Sequence, residues 1–139
     1  MVYRFAFQDD LSLLAHWNHQ LIEDEGHRNT MSVGELRERI EAWLAADYRA
    51  VLFEVDSVPV AHGLYRETDE EIYLRQFFVD RDQRRKGYGR EAVQLLRDKV
   101  WDSKKRLKLE VLVGNESAHA FWRSVGYVDY SIAMEIMPE

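Results

Sequence analysis

Three segments with the composition of β-strands follow one another between residues 50 and 79, and the turns between them are short. The first two, Ala50 to Val55 and Val58 to Tyr65, are separated only by Asp56-Ser57. Thr68-Asp69 then leads into a third segment, Glu71 to Val79. Such short connections join antiparallel neighbours, because parallel strands need a long crossover. The sequence therefore predicts an antiparallel meander at the centre of the fold.

The remaining segments place helices and further strands around this meander. Strands are predicted at residues 2–7, 107–113 and 128–136, and helices after Asp9-Asp10, after Ser32, over 87–101 and over 115–125. Ser32 and Glu35 stand at the spacing of a capping box. The order β-α-α-β-β-β-α-β-α-β has no repeats and no evident linker. It predicts an α/β fold, with the mixed sheet of the α+β kind, as a single domain over residues 1–139.

Composition limits the partners that such a domain can take. The chain has 25 acidic and 19 basic residues, and its net charge of −6 opposes general affinity for nucleic acid or for anionic membranes. No apolar run approaches the roughly 20 residues of a membrane span, and the amino terminus lacks the apolar stretch of a signal peptide. We therefore expect a cytoplasmic protein that binds neither nucleic acid nor membrane.

One strongly basic patch lies between a predicted strand and a predicted helix, at residues 81–90. Its five cations are Arg81, Arg84, Arg85, Lys86 and Arg90. Gly87 and Gly89 let the main chain approach a ligand closely, and the start of the helix offers free N–H groups and the positive end of its dipole. The junction suits a diphosphate. A solvated charged turn is the alternative that the loop alone leaves open.

The segment Arg84 to Gly89 resembles the pyrophosphate loop of the GNAT N-acetyltransferase family, Gln/Arg-x-x-Gly-x-Gly/Ala. Upstream, Leu74 to Asp80 resembles the fourth strand of that family; downstream, Val113 to Tyr127 resembles its Asn-x-x-Ala-x-x-Leu-Tyr-x-x-x-Gly-Phe segment. The resemblance implies a GNAT-like fold and a site for acetyl-CoA. The implied binding residues are Phe77, Phe78, Val79, Arg84, Arg85, Lys86, Gly87, Tyr88, Gly89, Arg90, Asn115, Phe121 and Trp122.

The resemblance also implies a reaction, the transfer of an acetyl group from acetyl-CoA to a primary amine that attacks the thioester directly. A backbone N–H of the fourth strand would stabilise the oxyanion. The position of the family's usual carboxylate base is Tyr73, which cannot be a base at neutral pH, so Glu71 and Glu110 are the substitutes. The usual acid position is Trp122, and Tyr127 or Tyr130 is the candidate proton donor in its place.

The polar connection between the first two helices is the candidate acceptor region. In family members it lies over the acceptor, so Glu23, Glu25 and His27 are expected to attract a cationic amine of a small molecule or a protein. A solvated acidic connector is the alternative. The chain has no cysteine, and His16 and His19 on one helical face are too few to form a zinc site, so no metal is expected.

Two further interpretations stay open at this point. Tyr73 and Trp122 stand where the family has catalytic residues, which favours an acyl-CoA-binding regulatory module with little or no turnover. A nucleic-acid-binding module that uses the basic patch is opposed by the net charge of −6. The sequence leaves open whether the protein forms a homodimer.

Overall fold

The meander is the centre of the sheet in the computed structural model, which describes all 139 residues. The strands are β1 (Val2–Phe5), β2 (Tyr48–Val55), β3 (Val58–Glu67), β4 (Glu71–Val79) and β5 (Arg106–Lys108), in that order across the sheet. The helices are α1 (Leu11–Glu25), α2 (Val33–Ala45), α3 (Tyr88–Leu95), extended by a π-helical segment (Leu96–Val100), and α4 (Glu116–Ser124). β1 to β4 are antiparallel, and β5 runs parallel to β4. The predicted mixed α/β sheet is confirmed.

The turn between β2 and β3 forms as the sequence predicts. Asp56 and Ser57 both adopt left-handed backbone conformations, with φ of 51° and 64°. Two successive residues of this kind make a turn whose twist matches that of the flanking strands. The turn thereby sets the pairing of Val55 with Val58 from which the hairpin extends.

Capping residues fix the ends of the connection between α1 and α2. α1 ends at Gly26, whose φ of 69° terminates the helix in a left-handed conformation. At the start of α2 the Ser32 hydroxyl accepts a hydrogen bond from the Glu35 N–H at 3.1 Å, and the Glu35 carboxylate accepts one from the Ser32 N–H at 3.0 Å. The capping box predicted from the sequence is confirmed.

Helices cover both faces of the sheet. α1 and α2 pack on one face in a cluster that includes Leu14, Leu36, Ile40, Leu52 and Leu64. α3 packs on the other face in a cluster that includes Val51, Phe53, Ile72, Ala92 and Leu96. We call these the α1/α2 face and the α3 face. None of the helices is long and apolar enough to span a membrane.

The sheet opens along one edge of β4. The register between β3 and β4 shifts opposite Arg75, which is the extra residue of a bulge in β4. β5 pairs only with the first three residues of β4, and the last pair is Tyr73 with Lys108. Beyond that pair β4 and β5 diverge, so the second half of β4 has one edge without a neighbouring strand.

The predicted length of β5 was wrong. Pairing covers Arg106–Lys108 rather than residues 107–113. The reason is the divergence from β4, since residues 109–113 have no adjacent strand with which to form a ladder. Leu112 and Val113 are exposed, at 40% and 78%.

The predicted final strand was also wrong, because residues 128–136 form no strand. The apolar side chains that alternate along this segment are exposed, from 73% for Ile132 to 99% for Ile136. Side-chain bonds fix the segment instead: Asp129 accepts hydrogen bonds from two side chains of α4, and Glu135 accepts one from Arg28. A period of two in the sequence gives a strand only where another strand offers a free edge in register.

Candidate active site

The loop between β4 and α3 presents backbone N–H groups on a concave surface. Arg85 and Gly87 are both left-handed, with φ of 64° and 80°, a conformation found in turns that point neighbouring N–H groups to one side. The first backbone bond of α3 runs from the Glu91 N–H to the Gly87 carbonyl, so the N–H groups of residues 88–90 have no partner in the helix. An exposed helix start of this kind binds anions, and phosphates in particular.

Gly89 lets the start of α3 lie close to β4 and α4. A Cβ atom at this position would lie 3.4 Å from two ring carbons of Phe121 and 3.5 Å from Cγ2 of Val79. A longer side chain would push the helix start away from both neighbours. Residue 89 therefore has room for at most a methyl group beside Phe121 and Val79.

Asp24, at the end of α1, holds two arginines of the loop. Arg81 and Arg84 each donate a hydrogen bond to its carboxylate at 2.7 Å, and Arg84 Nε also donates to the carbonyl of Val79 at 3.0 Å. Burial acts to raise the pKa of Asp24, but the hydrogen bonds from the two arginines outweigh it and lower the pKa below its ordinary value. Sequence reasoning missed this contact because the partners are 57 and 60 residues apart.

The other cations of the loop differ in the hydrogen bonds that their side chains make within the protein. Arg90 donates to the hydroxyl and the carbonyl of Ser124, at 3.0 and 3.3 Å, which ties α3 to the end of α4. Lys86 donates to Gln83 at 3.0 Å. Arg85 is exposed and makes no side-chain hydrogen bond or ion pair. Arg85 and Lys86 are thus the side chains most available to an anion.

The free edge of β4 begins beside this loop. The Asp80 N–H bonds to the Val60 carbonyl of β3. Because adjacent residues of a strand point their backbone groups to opposite sides, the N–H and carbonyl of Val79 point into the cleft. The Arg84 contact to the Val79 carbonyl agrees with this direction. Backbone groups of Phe77 lie on the same side.

Aromatic side chains close the cleft on the α3 face. The ring of Phe77 stacks on Phe121, with centroids 6.2 Å apart, and meets Trp122 edge to face at 5.3 Å. Trp122 in turn contacts Tyr127 at 5.5 Å. The side chain of Phe78, by contrast, is buried on the α1/α2 face, which leaves only its backbone near the cleft. These contacts support α4, which has no fully buried residue.

Asn115 acts as the N-cap of α4. Its side-chain oxygen accepts a hydrogen bond from the Ala118 N–H at 3.2 Å. This confirms that Asn115 begins the helix, as one interpretation of the sequence held. Its role in binding acetyl-CoA stays a prediction.

The candidate acid and base residues lie on two different faces of the sheet. Tyr73 lies on the α1/α2 face, between Arg66 and Lys108. Burial raises its pKa, and the negative charge of nearby Glu110 raises it further. Glu71 shares this strand face and lies 3.9 Å from Arg106. Tyr127 lies on the α3 face beside Trp122, where burial raises its pKa to about 12. The structure thus brings Glu110 near Tyr73, keeps Glu71 on the same strand face and leaves Tyr127 apart from both.

The acidic connection after α1 is only partly free to attract a cation. Glu23 lies 3.3 Å from His19 and 3.9 Å from Arg81. Glu25 is half-buried, and burial raises the pKa of its carboxyl, with a smaller contribution from Asp24. His27 lies 3.9 Å from Glu25. These candidates for acceptor binding lie next to the basic loop, since Asp24 connects the two.

A row of cations and aromatic rings beside the cleft was not predicted from the sequence. Tyr48 pairs with Arg66, Arg66 with Tyr73, and Tyr73 with Lys108, so one residue from each of β2 to β5 stands in a line on the α1/α2 face. The only signal in the sequence was the presence of polar side chains at strand positions that face a core. Their alignment depends on the register of four strands.

Comparisons with known proteins agree with this geometry. The family model described as "Acetyltransferase (GNAT) family" matches residues 14–127. No curated protein matches the chain significantly. No group of three or more His, Asp or Glu side chains is arranged to hold a metal ion.

Solved structures share the fold over nearly the whole chain. A possible acetyltransferase from Clostridium difficile 630 has a TM-score of 0.77 at 23% identity, over 99% of this chain and 98% of that chain. The aminoglycoside 6'-N-acetyltransferase AAC(6')-IG from Acinetobacter haemolyticus has a TM-score of 0.77 at 16% identity, over 100% and 99%. A predicted acetyltransferase with acetyl-CoA from Clostridium acetobutylicum has a TM-score of 0.70 at 16% identity, over 98% and 95%.

Proposed function

The chain belongs to the GNAT acetyltransferase family, and from that premise we propose that it transfers an acetyl group from acetyl-CoA to a primary amine of a small molecule or a protein. The amine attacks the thioester directly, so no side chain of the protein becomes acylated. The protein supplies orientation, oxyanion stabilisation and proton transfer.

The observation that carries this proposal is the divergence of β4 and β5 next to the start of α3. The free edge of β4 offers the backbone groups of Phe77 and the N–H of Val79 to an extended ligand, as an added strand would. The loop of residues 84–90 then lies at the end of that edge, where a diphosphate would follow. Two recognition elements in this order fit acyl-CoA better than a nucleotide or a free phosphate.

The residues of the cleft suggest how the chemistry is divided. The Val79 N–H points into the opening and is the candidate donor to the oxyanion. Glu110 and Glu71, on the α1/α2 face, are the candidate bases, acting directly or through a water molecule. Tyr127 is a weak candidate for the acid, since a pKa of about 12 opposes proton release. The thiolate would then take its proton from water.

An acyl-CoA-binding regulatory module is the second candidate function. It is favoured by Tyr73 and Trp122, which stand at positions where the family resemblance implies a base and an acid. Likeness in fold to an aminoglycoside N-acetyltransferase supports turnover on a small-molecule amine instead. The two candidates differ in one measurable property, the release of free thiol in the presence of an amine.

The test is a charge reversal of the loop with a matched control. Arg85→Glu with Lys86→Glu should raise the Kd for acetyl-CoA about tenfold or more at low salt, and less at high salt, because screening weakens the charge effect. Lys99→Glu with Lys104→Glu makes the same change in net charge at exposed positions away from the loop. Calorimetry measures the affinity of both variants. Equal losses in the two would remove the diphosphate site from the loop.

Turnover is measured separately, as thiol release from acetyl-CoA across a panel of primary amines. Release that depends on an amine supports the transferase. Tight binding of acetyl-CoA without release for any amine would favour the regulatory module.

A further inference from the structure

Four cations and three aromatic rings form a continuous row on the α1/α2 face. The guanidinium carbons of Arg39 and Arg75 each lie 4.4 Å from the ring of Trp43. Arg66 and Arg75 lie 5.5 and 6.0 Å from the ring of Tyr48. The guanidinium carbons of two arginines that share a ring are therefore separated by at most the sum of their two distances to that ring. Tyr73 continues the row, between Arg66 at 5.8 Å and the ammonium of Lys108 at 5.9 Å.

None of these cations has a carboxylate within ion-pair distance, although the protein carries a net charge of −6. Arg75 donates only to the Tyr48 hydroxyl, at 3.4 Å, and Arg39 only to Asn18, at 3.3 Å. Nε of Arg39 is buried without a partner. Burial lowers the pKa of Arg39, and repulsion from the nearby charge of Arg75 lowers it further. Arg75 and Lys108 are exposed and so remain accessible to an anion, whereas the buried Nε of Arg39 carries a desolvation cost that a polar partner would remove.

Stacking leaves the arginines able to bind a planar anion. A guanidinium group that lies over a ring uses its face, and its N–H donors stay free along the edge. Two parallel N–H groups on that edge match the two oxygens of a carboxylate. The aromatic rings hold the arginines in place, so less side-chain entropy is lost when an anion binds.

The row ends where β4 and β5 diverge. Its last pair, Tyr73 with Lys108, is the final pair of the two strands, and Arg75 is the bulged residue just beyond it. Glu110 is close enough to Tyr73 to affect its pKa. Unpaired cations and a carboxylate therefore lie beside each other, a few residues from the free edge of β4.

We propose that the row formed by Arg39, Arg66, Arg75 and Lys108 binds a carboxylate of the acceptor, so that the substrate is an amine that also carries a carboxylate. This inference rests on the proposed acetyl transfer. The ammonium group of such an acceptor would face Glu110 while its carboxylate lies on the row. A free amino acid and the C-terminal residue of a peptide both meet this description.

The experiment compares each standard amino acid with its own carboxamide, which has nearly the same shape and no carboxylate. The wild-type protein should acetylate at least one amino acid with a kcat/KM at least about tenfold above that of its carboxamide, the size expected for a charge-assisted hydrogen bond. Arg75→Gln should remove this difference by raising the KM of the amino acid alone. Arg49→Gln is the matched control, because Arg49 also lies over a ring, that of Phe5, but outside the row. A carboxamide used as well as its amino acid would overturn the proposal.

A binding measurement separates failure of this proposal from failure of the proposed function. N-acetylated amino acids should change the fluorescence of Trp43, with Trp43→Phe identifying the signal, and N-acetylated amino acid amides should not. If acetyl-CoA does not bind or no amine is acetylated, the transferase proposal fails while this measurement still tests the row. No response to any N-acetylated amino acid, or an equal response to the amides, would show that the row binds no carboxylate. A short peptide with a free C-terminus then distinguishes a peptide acceptor from a free amino acid.

Discussion

Because His62 is buried, we expect the protein to lose stability at mildly acidic pH. Its imidazole lies on β3 at 1% exposure and stacks on Trp17, with ring centroids 5.7 Å apart. Nε2 lies 3.4 Å from the Gln76 side chain, and Nδ1 has no partner. Burial lowers the pKa of His62 from 6.5 to about 4, with a small opposing contribution from Gln76. The folded protein therefore keeps this ring neutral.

The size of the effect follows from the difference in proton binding at His62 between the folded and the unfolded chain. Between pH 6.5 and about 4 the unfolded chain binds a proton at His62 that the folded chain does not. The contribution of the neutral ring is complete above pH 6.5 and is lost as the pH falls through this window. At about 1.4 kcal/mol per pKa unit, the loss amounts to about 3 kcal/mol. The free energy of unfolding of a typical domain is roughly 5–15 kcal/mol, so this loss is a large part of it.

The assay is urea unfolding followed by tryptophan fluorescence between about pH 4 and pH 8. His62→Gln is neutral throughout, so its free energy of unfolding should fall about 3 kcal/mol less than that of the wild type over this range. Asp10 and Asp24, whose pKa values are lowered, lose their contributions at lower pH in both proteins. His16→Gln, at an exposed position, controls for the loss of an imidazole. Parallel curves for wild type and His62→Gln would refute the reasoning.

Three further predictions concern the cleft and the chain end. Asp24→Asn frees Arg81 and Arg84 and removes a negative charge beside the loop, so the Kd for acetyl-CoA should fall about threefold or more at low salt, measured by calorimetry. Trp122→Phe should keep kcat within about tenfold, whereas Trp122→Ala should weaken acetyl-CoA binding and lower the melting temperature together, since the ring supports α4. Ile132→Lys should leave the free energy of unfolding within about 0.5 kcal/mol, because the side chain is exposed. A large loss would show that the segment is buried in solution, as in a homodimer.

Features that depend on neighbouring residues could be predicted from the sequence. The capping box of Ser32 and the turn at Asp56-Ser57 are local, and both form as predicted. The basic loop also falls at the junction between β4 and α3. The final strand could not be predicted reliably, because a period of two shows that a segment suits a sheet but not that an edge is available to it.

Features that depend on distant residues were not visible in the sequence. The row through Tyr48, Arg66 and Lys108 exists only because four strands pair in one register. In the sequence these are single polar residues within strand-like segments. Likewise, the sequence predicts that the arginines of the loop bind a phosphate, while the folded chain gives two of them a carboxylate partner from another helix.

That partner, Asp24, connects the two halves of the cleft. It ends α1, next to the connection that is the candidate acceptor region, and it holds Arg81 and Arg84 of the loop on which a diphosphate would lie. A phosphate that draws Arg84 away from Asp24 leaves that carboxylate with Arg81 as its one arginine partner and makes it more available on the acceptor side. Thermodynamic linkage makes such an effect mutual, so an acceptor that engages Asp24 must change the affinity for acetyl-CoA by the same factor by which acetyl-CoA changes the affinity for the acceptor. One carboxylate would thus make the binding of the two substrates cooperative.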